Sequence, residues 1–204
     1  MITGKESGET AGANVLVVFY SRTGVTETQA LAVGVGAIQA RANIRLRRIR
    51  DAVDEKTISA HAKWVENRDR MNKEYVAPAA ADAAWADAII LAAPYGFSAS
   101  SSEVVGFLSL LRSLGPGGTL SKKIGGAFVS TSLMGDDDPG VASILSSFES
   151  VGMTALPLAQ SIEQSVVGTA VSTNPAEEYT PELAQAQSYG RLLARKAAEL
   201  KSDQ

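Results

Sequence analysis

Apolar, β-favouring runs recur along this chain, and a segment with helical spacing follows nearly every one. Residues 15–20, 86–93 and 124–130 are almost continuously apolar, as strands are when both faces of their sheet are covered. Between them Val104, Phe107, Leu108 and Leu111 fall at i, i+3, i+4 and i+7, and Val141, Ile144, Leu145 and Phe148 share one helical face. Strand then helix, repeated, predicts an α/β fold with one parallel sheet. A second strand at 44–49 sets Ile44, Leu46 and Arg48 on one face and other arginines between them, which places it near a sheet edge. A fifth strand is expected at 153–158.

The first strand has the most informative exit. It breaks into Ser21, Arg22, Thr23, Gly24, Val25 and Thr26, and an amphipathic helix is expected over 26–40. Thr26 and Gln29 fit a capping box at its start. Hydroxyls and a glycine ahead of a helix suit a phosphate, because backbone N–H groups converge on the helix's positive end. The dinucleotide fingerprint needs three glycines, and only Gly24 is present. The lysine of the nucleotide-hydrolase loop is missing too. What remains, S-x-T-G-x-T, resembles the FMN-phosphate loop of flavodoxin-like proteins. An ordinary strand–turn–helix link, with Ser and Thr serving as caps, has the same letters.

At 204 residues, 45% hydrophobic, the chain suffices for one well-filled domain. The net charge of −3 offers no basic field for nucleic acid or an anionic membrane. There is no cysteine, which excludes disulfides, iron–sulfur clusters and thiol catalysis. His61 is the only histidine, which argues against a Ser-His-Asp triad or a histidine-rich metal site. No apolar run reaches the roughly 18 residues that span a bilayer. Residues 1–13 are polar and Gly-rich, and are expected to be a disordered lead to a single domain, 14–204, of a cytoplasmic protein.

The rest of the chain fits that plan. A helix is expected over 57–73, then an Ala/Pro-rich linker at 77–83. Ser100 and Glu103 form a second capping box. Gly115, Pro116, Gly117 and Gly118 stop a helix, and Asp138 with Pro139 starts the next. A long loop spans 159–179. The last helix begins near Thr180 and carries Ala186, Gly190, Leu193, Ala197 and Leu200 as a close-packing stripe. Parallel strands bring all strand-to-helix loops to one edge, where open α/β sheets bind ligands. Three of them stand out: the loop from Ser21 to Thr26; Pro94, Tyr95, Gly96 and Phe97 with the serines after them; and Ser130, Thr131, Ser132 and the residues to Gly135. Hydroxyls, glycines and two aromatic rings suit a flat ring system with a phosphorylated tail.

From about Asn14 to Leu200 the chain resembles the flavodoxin-like WrbA family of NAD(P)H:quinone oxidoreductases and the related NADPH-dependent FMN reductases. The resemblance rests on Phe19-Tyr-Ser-Arg-Thr-Gly-Val-Thr26, Ala84-Trp-Ala-Asp-Ala-Ile-Ile90, Ala93-Pro-Tyr-Gly-Phe97, Phe128-Val-Ser-Thr131, Val151-Gly-Met153 and the C-terminal helix. It implies a flavodoxin-like three-layer sandwich with strand order 2-1-3-4-5. It also implies FMN as cofactor, NAD(P)H as hydride donor, a quinone as acceptor and a homodimer or homotetramer. Ser21, Arg22, Thr23, Gly24, Val25 and Thr26 would hold the phosphate. Pro94, Tyr95, Gly96 and Phe97 would line the isoalloxazine, and Ser130, Thr131, Ser132 and Gly135 the ribityl chain and ring edge. Departures fall at the substrate end. Thr23 stands where the family has an aromatic residue and Gly96 where it has an arginine. Val151 aligns with a ring-side histidine, Gly115 to Gly118 shorten a Trp-bearing segment, and Asp136 to Asp138 replace glycines.

Several residues have two readings. Arg22 suits a cofactor phosphate or a plain exposed position. Asp136 to Asp138 suit a metal or simply a helix start. His61 suits surface or packing better than catalysis, and Trp64 and Tyr75 suit a subunit interface or a local core. A flavodoxin-like electron carrier and a non-enzymatic FMN-binding protein remain as alternative functions.

Overall fold

The computed structural model describes residues 12–130, 138–158 and 180–202. Five parallel strands are present among them: β1 (Asn14–Phe19), β2 (Asn43–Arg48), β3 (Ala88–Ala93), β4 (Ile124–Val129) and β5 (Thr154–Ala155), in the order β2-β1-β3-β4-β5. The register is continuous. Val15 lies opposite Ile44 and Ala88, Ala88 opposite Ile124, and Ile124 opposite Thr154. The α/β class is the one the alternating pattern predicts, and the order 2-1-3-4-5 is the one the resemblance implies.

Helices α1 (Val25–Gln39) and α7 (Pro181–Ser202) cover one face of the sheet. There Val15, Val17, Phe19 and Ile90 meet Ala30, Val33, Tyr189 and Leu193. Helices α4 (Ala80–Trp85), α5 (Ser102–Leu114) and α6 (Pro139–Ser150) cover the other. Leu16, Val18, Ile89 and Leu91 pack there on Val104, Phe107, Leu108 and Ile144. Burial on both faces explains the continuous apolar runs, and it puts β1, β3 and β4 at the centre.

Several boundaries differ from expectation. The helix expected over 57–73 is two, α2 (Glu55–Ser59) and α3 (Ala62–Glu74), broken at an extended His61. Ile58 and Trp64 are both buried, yet six residues apart they would point about 240° from one another on one straight helix. Breaking the helix lets both turn inward. The linker expected at 77–83 becomes α4, because Asp82 accepts from Ala79 N–H at 3.1 Å and pairs with Arg45 and Arg47. The fifth strand shrinks to Thr154–Ala155 at the sheet edge.

Neither capping box forms. Helix α1 starts at Val25 behind a left-handed Gly24, without a side-chain cap. Thr26 is buried inside the helix, and Gln29 reaches Ser130 instead. Ser101, not Ser100, precedes α5, and its hydroxyl accepts from Ser98 N–H. Asp138 does cap α6, accepting from Gly140 and Val141, with Pro139 as the first helical residue. The long loop at 159–179 and the lead before residue 12 lie outside the described residues.

Candidate functional site

The loops after β1 and β3 adjoin at the sheet's carboxyl edge, where the first leads to α1 on one face and the second to α5 on the other. That divergence is a topological switch point. In the first loop the buried Ser21 hydroxyl accepts from Gly24 N–H at 3.0 Å and closes the turn. Gly24 has φ +93°, a conformation that suits glycine. Because no side chain caps α1, its first-turn N–H groups present their partial positive charge at this turn.

In the second loop, Phe97 N–H donates to Pro94 O at 3.1 Å, with Gly96 at φ +80° in the third turn position. The two aromatic residues part company here. Phe97 packs on Tyr20 with ring centroids 5.3 Å apart, whereas Tyr95 is 68% exposed. A cleft of about 430 Å³ lies between this loop and the start of α6, lined by Tyr95, Phe97, Ala99, Asp138 and Gly140. A side chain at position 140 would collide with the Phe97 carbonyl, so the glycine permits that close approach. Of the third loop, Ser130 is described: its N–H donates to Ala93 O at 2.9 Å, and its carbonyl accepts from Gln29 at 3.1 Å. Thr131, Ser132, Gly135, Asp136 and Asp137 lie outside the described residues.

A polar network that the sequence did not announce supports the first two loops. Arg22 Nε donates to the Tyr20 hydroxyl at 3.0 Å, and that hydroxyl donates to Asp51 at 3.0 Å. Asp51 also accepts from Trp64 Nε1 and from the fully buried Arg48, each at 2.8 Å. Burial opposes the charge on Asp51, but the Arg48, Trp64 and Tyr20 hydrogen bonds hold its carboxyl below the usual range. Burial pushes the Tyr20 hydroxyl well above an ordinary phenol. The Arg22 guanidinium sits 4.4 Å from the Trp64 ring centroid and 5.2 Å from that of Phe97, and 3.8 Å from the buried Glu103 carboxylate. Arg22 is thus held in place, Trp64 is buried, and the Tyr75 ring packs on the core apart from it, meeting Phe19 edge-on at 4.9 Å. His61 is exposed, 6.2 Å from the Trp64 ring.

No family model matches the chain. Among curated proteins it is 33% identical to the NAD(P)H dehydrogenase (quinone) of Azorhizobium caulinodans, over 92% of this chain and 98% of that one. The NAD(P)H dehydrogenase (quinone) of Nitrobacter winogradskyi matches at 33% with the same coverage. The chain belongs to the NAD(P)H dehydrogenase (quinone) family. In fold, it is similar to a WrbA-like flavodoxin from Agrobacterium tumefaciens, with TM-score 0.57 and 23% identity over 92% of this chain and 98% of that one. It is also similar to a flavodoxin of Streptococcus pneumonia, with TM-score 0.54 and 22% identity over 90% and 99%.

In this NAD(P)H dehydrogenase (quinone) family member, Thr23, Gly96 and Val151, three described positions that depart from the resemblance, fall in two places. Thr23 and Gly96 are exposed on the first and second loops. Val151 does not share their neighbourhood in this chain. It follows α6 and packs within 3.6 Å of a side chain built on Gly115, just past α5, and both helices run away from the loops. The sequence signal that could have exposed the hidden charges is phase. Glu27 is in step with Ala30 and Gly34, and Glu103 with Phe107, so both carboxylates ride on buried faces.

Proposed function

We propose that this protein is an FMN-dependent oxidoreductase that passes two electrons from NAD(P)H to a quinone or similar acceptor. The observation that carries the reading is the uncapped start of α1 beneath the Ser21–Gly24 turn, at the switch point of a chain from the NAD(P)H dehydrogenase (quinone) family. Amide donors at a helix N-terminus suit a phosphate monoester. Gln29 adds a test of fit. Its Nε2 is spent on Ser130, while its Oε1 is buried without a donor, and a ribityl chain offers hydroxyl donors.

Ser21, Thr23, Gly24, Val25 and Thr26 hold the phosphate, and Arg22 contributes its backbone while its guanidinium braces the loop. Pro94, Tyr95, Gly96 and Phe97 flank the ring, and Ser130, Thr131, Ser132 and Gly135 meet the ribityl chain and ring edge. When bound, FMN supplies the hydride acceptor and the two-electron carrier, and the protein supplies orientation and charge. Residues 14–204 act as one domain led by residues 1–13, in the cytoplasm, as a homodimer or homotetramer. The exposed stripe Leu31, Val35 and Ile38 on α1 suits a subunit contact.

The test is an absorbance titration of purified protein with FMN, then anaerobic NADH or NADPH, then a benzoquinone. The expected course is flavin uptake, bleaching by at least one nucleotide, and return of the oxidised spectrum with the quinone. No uptake at micromolar FMN sinks the reading, and uptake without bleaching makes the protein an electron carrier. Thr23→Glu, at an exposed position, sets a carboxylate against the phosphate and is expected to abolish FMN retention while the circular dichroism stays unchanged.

A further inference from the structure

We propose that Arg70 is a positioning residue for the flavin phosphate: it neutralises Glu27, so that the Gly24 turn can accept a second anion. The inference rests on the phosphate placement given under Proposed function and reaches into a helix, α3, that no motif touches. Glu27 lies in the first turn of α1 with only 6% of its side chain exposed. Its Oε2 is 3.7 Å from where a Cβ on Gly24 would sit, so the carboxylate lies against the turn. One helix N-terminus would then serve two anions, the fixed carboxylate and the phosphate, and their mutual repulsion would weaken phosphate binding.

The protein meets this from outside the loop. Arg70 engages both Glu27 oxygens, Nη1 to Oε1 at 2.8 Å and Nη2 to Oε2. Tyr75, with Arg70, favours the ionised form of the Glu27 carboxyl against burial, and Glu74, on the exposed side, shares Arg70 at 2.7 Å. Asn67, one turn before Arg70, has its Oδ1 3.7 Å from the same Gly24 point. One face of α3 therefore lies along the phosphate turn, and its cation cancels the only carboxylate within that turn and the first turn of α1.

Charge neutralisation by Arg70 separates from a purely structural role in a comparison with riboflavin, which is FMN without the phosphate. In fluorescence titrations, Arg70→Gln is expected to weaken FMN binding about tenfold or more while riboflavin affinity changes less than about twofold. Glu27→Gln combined with Arg70→Gln should bring FMN back to within about threefold of the parent, since no anion remains to neutralise. Glu27→Gln alone should tighten FMN and leave riboflavin unchanged, and it decides the matter if Arg70→Gln does not fold. Equal loss of both ligands in Arg70→Gln, no loss of either, failure of the double variant to recover, or an unchanged FMN affinity in Glu27→Gln overturns the proposal. If the parent protein binds neither ligand, or binds both equally, the phosphate placement itself is at fault.

Discussion

Glu103 has 3% of its side chain exposed, and its Oε1 finds no hydrogen bond, only the Arg22 guanidinium at 3.8 Å. A buried carboxylate with so thin a partnership depends on that partner, and removing one member of such a pair leaves an uncompensated charge. Arg22→Met is therefore expected to cost about 2 kcal/mol of unfolding free energy, discounted because Arg22 is partly exposed and water can enter. Adding Glu103→Gln should return most of it, read as urea midpoints of the two variants. Asp51 gives a pH signature with a definite sign. Its folded pKa is depressed below the unfolded value near 3.9, so its stabilisation is fully present above that value and is lost as pH falls through the folded one. Urea midpoints should hold steady, as far as this group matters, from neutral pH to about 4, then fall. Asp51→Asn is expected to lose about 3 kcal/mol near neutrality, because Arg48 is fully buried, and to show a shallower acid limb.

Helices α1 and α7 pack backbone against backbone, and two glycines set the distance. A Cβ on Gly36 would fall 1.8 Å from the Gln187 carbonyl oxygen, and one on Gly190 would fall 2.0 Å from that of Val33. Backbone cannot yield as a long side chain can, so Gly190→Ala should push α7 off α1. The expected cost is about 3 kcal/mol, at the upper end for overpacking, seen as a lower urea midpoint. Hydrogen exchange should locate the loss in α7 and α1 ahead of the central strands. Gly190 was legible in the sequence because it sits in a stripe of small residues. Gly36 was not, since the segment reads as an amphipathic helix but leaves Leu31, Val35 and Ile38 exposed, so its apolar residues do not mark the buried face. The capping boxes failed for a related reason. Thr26 and Ser100 have the right spacing, yet tertiary demands won: Gln29 was drawn to Ser130, and the turn at Ser98 took Ser101. The stripes of α5 and α6 were legible because only one of their faces is buried.

At the scale of the whole molecule, the strands follow from patterning that both covered faces enforce, their order was implied only by the family resemblance, and the first two loops follow from the strands. What the sequence hid is the work of residues 51–85. This segment sends Trp64 under Arg22, Arg70 onto Glu27 and Asp51 to Tyr20, so it braces the first loop directly, and the second through the Tyr20 and Arg22 contacts with Phe97, from the side of the sheet where β2 is the edge. Those contacts join residues 31 to 43 positions apart in the chain, and long-range pairing of charges leaves no local period to read. A site braced in this way should respond to its ligand as a unit. FMN at about 100 times its dissociation constant is expected to raise the unfolding free energy by about 2.7 kcal/mol, by mass action on the folded state alone. The added hydrogen-exchange protection should cover the α1 start and also α3, which lies beside the Gly24 turn proposed for the phosphate through Asn67 and Arg70 without being part of it. Riboflavin at the same multiple of its own dissociation constant should give the same free energy by mass action, yet add less protection at the α1 start and at α3, because it lacks the phosphate. Equal protection of α3 by the two ligands would mean that the segment senses the ring rather than the phosphate.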